Sequence, residues 1–431
     1  MYDFDFVSEG LARGTNDVKW DTCDPGVIPM WVAEMDFPAA PCILKALHER
    51  VDRGVFGYTE VPASYYESVI NWFSGRHGWQ IGREQIIPVQ GIVPATSIAV
   101  KALTEAGDKV VLNVPAYNCF FHNITNQGCE TSESRLLWNP ELKRYEMDWD
   151  DIERRCADPA AKAFLLCNPH NPSGRLWSRE ELVRLGEICL RHGVKVISDE
   201  IHCEIVAPGR AYVPFASICG EFAQNCISFV SPTKGFNIAG VQIANIISAN
   251  EDFRRRMDRV INVWEHCDVN QFGIVALQAA YSDEGAAWLE QMNALVHSNF
   301  MMLKDLFAER FPAVRVPELE ATYLLWLDFA EAFTPAKPSP SEMAKGPSSP
   351  VKGLGTGIAI SSATPSQGFA GQEGKAVAEY LLKNNGVRIN DGAIYGGASC
   401  CRINLACPEA TMKEGLRRIA EGLSGQVSEA S

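Results

Sequence analysis

Between residues 86 and 249 the chain presents a series of short, almost unbroken apolar runs: KVVLNVP (109–115), AFLLCNP (163–169), KVISDE (195–200), CISFVSP (226–232) and VQIANIISA (241–249). A strand with one wet face alternates apolar and polar residues. These runs do not alternate, so they belong to strands covered on both faces, as in a parallel sheet. Helix-like stretches stand between them. The clearest is SREELVRLGEICLRHG (178–193), with Ser178 as N-cap, Glu181 closing a capping box and Gly193 as the stop. The alternation predicts an α/β fold, a mostly parallel central sheet sandwiched by helices.

The pattern changes near residue 286. A long helical periodicity leads to strands TYLLWLDF (322–329) and CRINLACP (401–408), then to a last amphipathic helix, which describes a smaller α+β domain. Residues 331–373 are rich in Pro, Ser, Gly and Ala without periodicity and read as a long loop or inserted segment. Its GLGTG does not complete the GxGxxG of a nucleotide loop and follows no strand, so it carries no such site.

Bulk properties exclude several function classes. A net charge of −14 without any basic stripe argues against nucleic acid. The start, MYDFDFVSEG, is acidic and lacks the apolar stretch of a signal peptide. No apolar run approaches the roughly 20 residues of a membrane span. The 14 cysteines are scattered through strand-like and helix-like segments with no CxxC pair, which suits reduced core thiols better than disulfides or a metal. A cytoplasmic protein without a membrane partner is the expectation.

One lysine then stands out. In VSPTKGFNIAG (230–240), Lys234 has no charged neighbour within five positions. Most loop lysines are simply solvated. This one follows a strand, and in open α/β sheets ligands collect beyond the carboxyl ends of the strands. Tyr117, Asn171 and Asp199 fall at equivalent places after their own strands. Taken singly each is ordinary: Asn171 lies in a pair of Asn-Pro turns, Asp199 suits a helix cap, and a histidine such as His202 is usually just packed. Together they describe a crevice for a ring-sized ligand, with an aromatic, an amide, an acid and an amine. Gly91 precedes a helix that could start at Pro94, whose free N–H groups suit an anion, and Ser231 offers a hydroxyl, although an ordinary Gly turn explains that stretch equally well. A lysine imine, an acid for a pyridine nitrogen and a phosphate cradle match pyridoxal 5′-phosphate.

Here the chain resembles a known family, the fold type I (aspartate-aminotransferase-like) pyridoxal-phosphate enzymes, and within it the cystathionine β-lyase/cysteine C–S lyase branch. The resemblance rests on RGTNDVKWD, IPMWVAEMDF, GVFGYTEVP, NPHNPSGRLWSREEL, SDEIHCE, SPTKGFNIAG, TYLLWLDF and RINLACP, in that order over nearly the whole chain. It implies an N-terminal segment (1–50) packed on the small domain and the site, a large cofactor domain (51–287) and a small domain (288–431) carrying the insertion. It implies that Lys234 holds the cofactor as an imine, that Asp199 pairs with the ring nitrogen, that Asn171 bonds the ring hydroxyl and that Tyr117 stacks on the ring. Gly91, Ile92 and Val93 (through backbone N–H) and Ser231 would hold the phosphate, and His202 would join the cofactor site. Tyr58 would reach the phosphate across a dimer interface, which implies a homodimer, and Tyr58 and Asn171 would also face the substrate. Arg402 would clamp the substrate carboxylate bidentately, and WVAEMDF would close over the site.

Where aminotransferases of this fold usually carry an arginine eight residues after the lysine, this chain has Gln242, as the lyase branch does. Gly235 replaces an expected threonine, and YGGASCCRINLA is shorter than usual before the arginine. The implied activity is α,β-elimination from cystathionine, cysteine or related S-substituted L-cysteines to a thiol, pyruvate and ammonia. The competing readings are an aminotransferase, which would need a keto-acid acceptor, and a cofactor-binding protein whose role is regulatory.

Overall fold

A computed structural model describes residues 2, 4, 12–332 and 372–426. Most of the low-complexity stretch expected at 331–373 therefore lies outside the described residues. The strands of the main sheet are β1 (Ile86–Val89), β2 (Lys109–Val114), β3 (Glu130–Arg135), β4 (Ala161–Cys167), β5 (Lys195–Asp199), β6 (Cys226–Val230) and β7 (Ala244–Ile247), in spatial order β1-β7-β6-β5-β4-β2-β3. Only β7 runs against its neighbours, β1 and β6; the other pairings are parallel. β6 and β7 are buried at every position, and β5 at all but Lys195, as continuous apolar runs require. The 241–249 run is strand only at its centre, because Ala239–Val241 form a 3₁₀ turn and Gln242 takes a left-handed backbone (φ 55°).

Helices cover both faces. On one face α1 (Ile92–Leu103) packs with Phe253, Met257 and Ile261 of α3 (Glu251–Val263) against Val110, Leu165, Ile197 and Phe229. On the other, α2 (Arg179–His192) buries Leu182, Leu185 and Ile188 against Phe164 and Val196. α2 begins and ends where its sequence says. Ser178 accepts from the Glu181 N–H, the Glu181 carboxylate accepts from the Ser178 N–H, and Gly193 closes the helix at φ 68°. Such a cap contributes about 1 kcal/mol. α1 starts at Ile92, two residues before Pro94, so the proline sits inside the first turn, where its missing N–H costs no hydrogen bond.

A second, antiparallel sheet holds β8 (Leu324–Asp328), β9 (Asn390–Asp391) and β10 (Cys400–Asn404), with β10 in the middle. Arg402 is therefore flanked by Trp326 on one side and Asn390 on the other. α4 (Asp283–Arg310) supports this sheet's exit: the Asn299 amide donates to the carbonyls of Leu405 and Cys407.

The segment from Ile28 to Phe37 runs between the two sheets' territories as a strap. Ile28–Pro29 pair in parallel with Val387–Arg388. Beyond them, almost every carbonyl accepts a side-chain donor from elsewhere in the chain: Trp31 from Asn390 and Arg402, Val32 from Asn404, Ala33 from Lys234 and Tyr323, and Glu34 from Lys19 and Asn404. Lys19 and Asp36 form a buried ion pair at 2.7 Å, to which the Trp20 indole N–H adds a bond at 3.0 Å. Removing one member of such a pair costs about 3–5 kcal/mol because the other charge stays buried. The strap's course is thus firmly determined.

Candidate active site

The register of the parallel strands brings the site together. Asp199, the last residue of β5, lies beside Cys167 at the end of β4 and opposite Phe229 of β6. Just beyond these ends is a cavity of about 440 Å³ lined by Tyr117, Asn171, Asp199, His202 and Lys234 at one end and Gly91, Ile92 and Val93 at the other. That is the size of a small-molecule site. A roomier open groove of about 620 Å³ lies away from it, between Trp149–Glu153 and α2, lined mainly by charges of both signs.

The amine end is dominated by burial. Lys234 Nζ donates to the Ala33 carbonyl at 2.7 Å, a bond between the large sheet's loop and the strap. Loss of water pulls its proton affinity down to about 8; the Arg402 charge pushes the same way, while Glu34, Cys119 and Asp199 oppose. Asp199 moves oppositely: burial raises its carboxyl to about 7 against the Ile201 N–H and Lys234, with Glu200 adding to the rise. Its Oδ1 accepts from Ile201 N at 3.1 Å, so the turn-capping role is real as well. His202 is held down to about 3 by burial and by the Lys234 and Arg402 charges, so its ring is neutral. It packs edge-on to Tyr323, and its Nδ1 is buried without a hydrogen-bond partner among the described residues. Tyr117 sits edge-on to Phe120 at 5.6 Å, its phenol pushed well up by burial.

Arg402 is 4% exposed and has no carboxylate within ion-pair distance among the described residues. Its guanidinium donates to Asn171 Oδ1 and to the Trp31 carbonyl, each at 3.1 Å, and lies 4.5 Å over the Tyr395 ring, while Nε has no partner among the described residues. A buried cation without an anion is costly, and its surroundings suit an incoming carboxylate.

The other end is built from backbone. α1 starts at Ile92, so the N–H groups of Ile92 and Val93 have no intrahelical acceptor. An added Cβ at Gly91 would meet nothing within 4 Å except Pro94 Cδ at 3.8 Å, so the glycine leaves the helix mouth open. Thr233 and Gln242 line the cavity here, together with Gln90 and Asn123. Ser231 stands one layer behind. It is buried, donates to the Ile243 carbonyl at 2.7 Å and accepts from the Thr233 N–H at 3.1 Å, so its hydroxyl positions Thr233 rather than lining the cavity. Tyr58 is fully exposed, in a run (51–60) exposed throughout, and is not part of the cavity wall.

These groups fit pyridoxal phosphate. An acid that still shares a proton near neutrality faces the cavity with an amine that has begun to lose one, and an open helix start lies at the far end. Sequence reasoning missed the Ala33 carbonyl, Thr233 and the orphaned His202 Nδ1. The strap's proximity had a signal in WVAEMDF, but nothing local in the sequence indicates which strap atom meets the lysine.

Residues 25–419 match the model of the family described as aminotransferase class I and II. The chain is 36% identical to cystathionine β-lyase PatB of Bacillus subtilis, over 98% of this chain and 100% of that one. Among solved structures it is similar to cystalysin of Treponema denticola, which contains a pyridoxal 5′-phosphate cofactor (TM-score 0.84, 30% identity, 99% of each chain). It is also similar to the pyridoxal-phosphate-bound C–S lyase of Staphylococcus hominis (TM-score 0.81, 30% identity, 98% and 99% covered).

Proposed function

Since the chain belongs to the class I and II aminotransferase family as a pyridoxal 5′-phosphate-dependent lyase, we propose that it cleaves the Cβ–S bond of cystathionine, cysteine or related S-substituted L-cysteines. The observation that carries this reading is the pairing of a partly deprotonated buried amine, Lys234, with a buried arginine, Arg402, that has no carboxylate of its own among the described residues. An α-amino acid supplies the missing carboxylate and places its Cα near the amine.

When bound, pyridoxal phosphate supplies an electron-accepting ring that makes a Cα proton acidic. The rest of the chemistry falls to the chain. Lys234 anchors the cofactor, and Asp199, ionised opposite the positive ring nitrogen, keeps a proton at that nitrogen. Asn171 already gives its carbonyl oxygen to Arg402 and has an amide nitrogen left for the ring hydroxyl. The N–H groups of Ile92 and Val93 hold the phosphate as helix starts hold anions, with Thr233, backed by Ser231, beside them. Tyr117 and His202 close the ring's two sides. Arg402 fixes the substrate carboxylate, and the Lys234 amine, freed by substrate, takes the Cα proton at Nζ. The thiolate leaves Cβ, and the three-carbon remnant hydrolyses to pyruvate and ammonia. A homodimer belongs to the same proposal. The exposed apolar side chains Val51, Val55 and Phe56 flank Tyr58, and a second copy seated there would carry its own Tyr58 toward the phosphate end.

The test is pyruvate and ammonia release from L-cystathionine or L-cysteine by the cofactor-loaded protein without any keto acid. Rapid release is expected. If nothing forms until 2-oxoglutarate is added, and glutamate then appears, the protein is an aminotransferase.

A further inference from the structure

Ala33 and Glu34 are adjacent on the strap, and the Ala33 carbonyl is the acceptor of the Lys234 amine at 2.7 Å. Of the charges that act on that amine, Glu34's has the largest effect. Glu34 is partly buried, and its Oε1 is fully shielded from solvent with no hydrogen-bond partner among the described residues. A shielded carboxylate oxygen without a donor is unusual and costly. The nearby cations do not explain it structurally. Lys19 directs its amine to Asp36 at 2.7 Å and to the main-chain carbonyl of Glu34 at 3.0 Å, leaving the Glu34 carboxylate out of both bonds.

We propose that Glu34 is a positioning residue that acts through Lys234, its carboxylate balancing positive charge on the lysine nitrogen each time that nitrogen takes up a proton. This deepens the reading of Lys234 as the cofactor-bearing amine and rests on it. The strap carbonyl fixes where the nitrogen sits, and the next residue's side chain supplies the negative field. Burial alone would leave the lysine reluctant to accept a proton from substrate; a carboxylate one residue from its anchor offsets that.

The surrounding charges allow the effect to be isolated. Asp17, Lys19 and Asp36 from the N-terminal segment and Lys234 from the large sheet's loop act on Glu34, and Tyr323, just before β8, senses it. Arg402, Cys119 and Asp199 act on Lys234 besides Glu34, and His202 senses the lysine. Of the carboxylates acting on Lys234, Asp199 is committed to the ring nitrogen, so Glu34 is the one whose removal leaves that nitrogen's partner in place.

The experiment is a pH titration of the visible absorbance of cofactor-loaded protein, without substrate, for the wild type, Glu34→Gln and Glu34→Asp. Glu34→Gln should move the midpoint to lower pH by about one unit, as expected for loss of one close opposite charge. Glu34→Asp keeps the charge but withdraws it by a methylene, and should move the midpoint the same way by less. A Glu34→Gln midpoint equal to the wild type's would overturn the proposal. If Glu34→Gln does not fold, an unshifted or raised midpoint in Glu34→Asp overturns it instead. Lys234→Ala, run alongside, separates the two ideas: if it keeps the titrating band, the assignment of Lys234 fails, whatever Glu34 does.

Discussion

The two ends of the cavity are built on different principles. At the amine end burial has displaced the proton affinity of three side chains: Lys234 down to about 8, Asp199 up to about 7 and His202 down to about 3. At the helix end the machinery is backbone, the open start of α1 beyond Gly91, with neutral Thr233 and Gln242 beside it. A charged, desolvated site gains reactivity because its groups are held away from their preferred protonation states. A backbone cradle needs no such tension, because its N–H groups are already oriented and carry no proton to lose. Proton chemistry and the hold on the phosphate are therefore separated along one crevice, and substitutions at the two ends should fail in different ways.

The largest break is expected at Lys234. Lys234→Ala should reduce turnover by roughly 10³-fold or more, since it removes both the anchor and the base, and should abolish the visible band of the loaded protein; steady-state rates and an absorption spectrum read both. Asp199 tests whether the amine end really stores tension. Its folded affinity is raised from the ordinary carboxylate value, so protonation favours the folded state: that contribution is complete below about pH 4 and is lost as pH rises through about 7. In the cofactor-free protein, urea midpoints should fall from about pH 4 to about pH 7 by an amount worth up to a few kcal/mol, and Asp199→Asn should flatten that fall. Parallel curves for the two proteins would show that no such tension exists.

Arg402→Lys should lower kcat/KM by about 10- to 100-fold, because one planar fork with charge-assisted bonds is replaced by a point charge. The visible spectrum should stay as in the wild type. A spectral change would place Arg402 at the cofactor rather than at the substrate. The smallest effect belongs to the backbone end. Gly91 has an extended backbone (φ 169°) that any residue adopts, so Gly91→Ala should fold normally. Its Cβ would occupy the helix mouth and weaken cofactor affinity by about 10-fold, roughly one hydrogen bond, with turnover at saturating cofactor little changed. Unaltered affinity in a cofactor titration would move the phosphate away from this helix start.

Much of this molecule was legible in its residues. Strands β2, β4, β5 and β6 announce themselves because a strand covered on both faces must be apolar throughout, and α2 because Ser178, Glu181 and Gly193 cap it by local hydrogen bonds. Lys234, Asp199, Asn171 and Tyr117 were readable as a group because each stands at or just beyond the carboxyl end of a strand of one sheet, and such ends converge. Other features were not readable. Ser231 looks like a phosphate hydroxyl in SPTK, yet it donates to Ile243, twelve residues on, and works through Thr233.

The sequence by itself determined the sheet, its flanking helices and the set of chemical groups at its carboxyl edge, because periodicity, caps and strand ends depend on neighbours a few residues apart. Only the tertiary structure decided how those groups are tuned. The strap that brings the Ala33 carbonyl and Glu34 to Lys234 lies 201 residues away along the chain, and Arg402 reaches Asn171 across 231. Proton affinity depends on lost water and on charges near in space, and neither can be read from residues that far apart until the chain has folded.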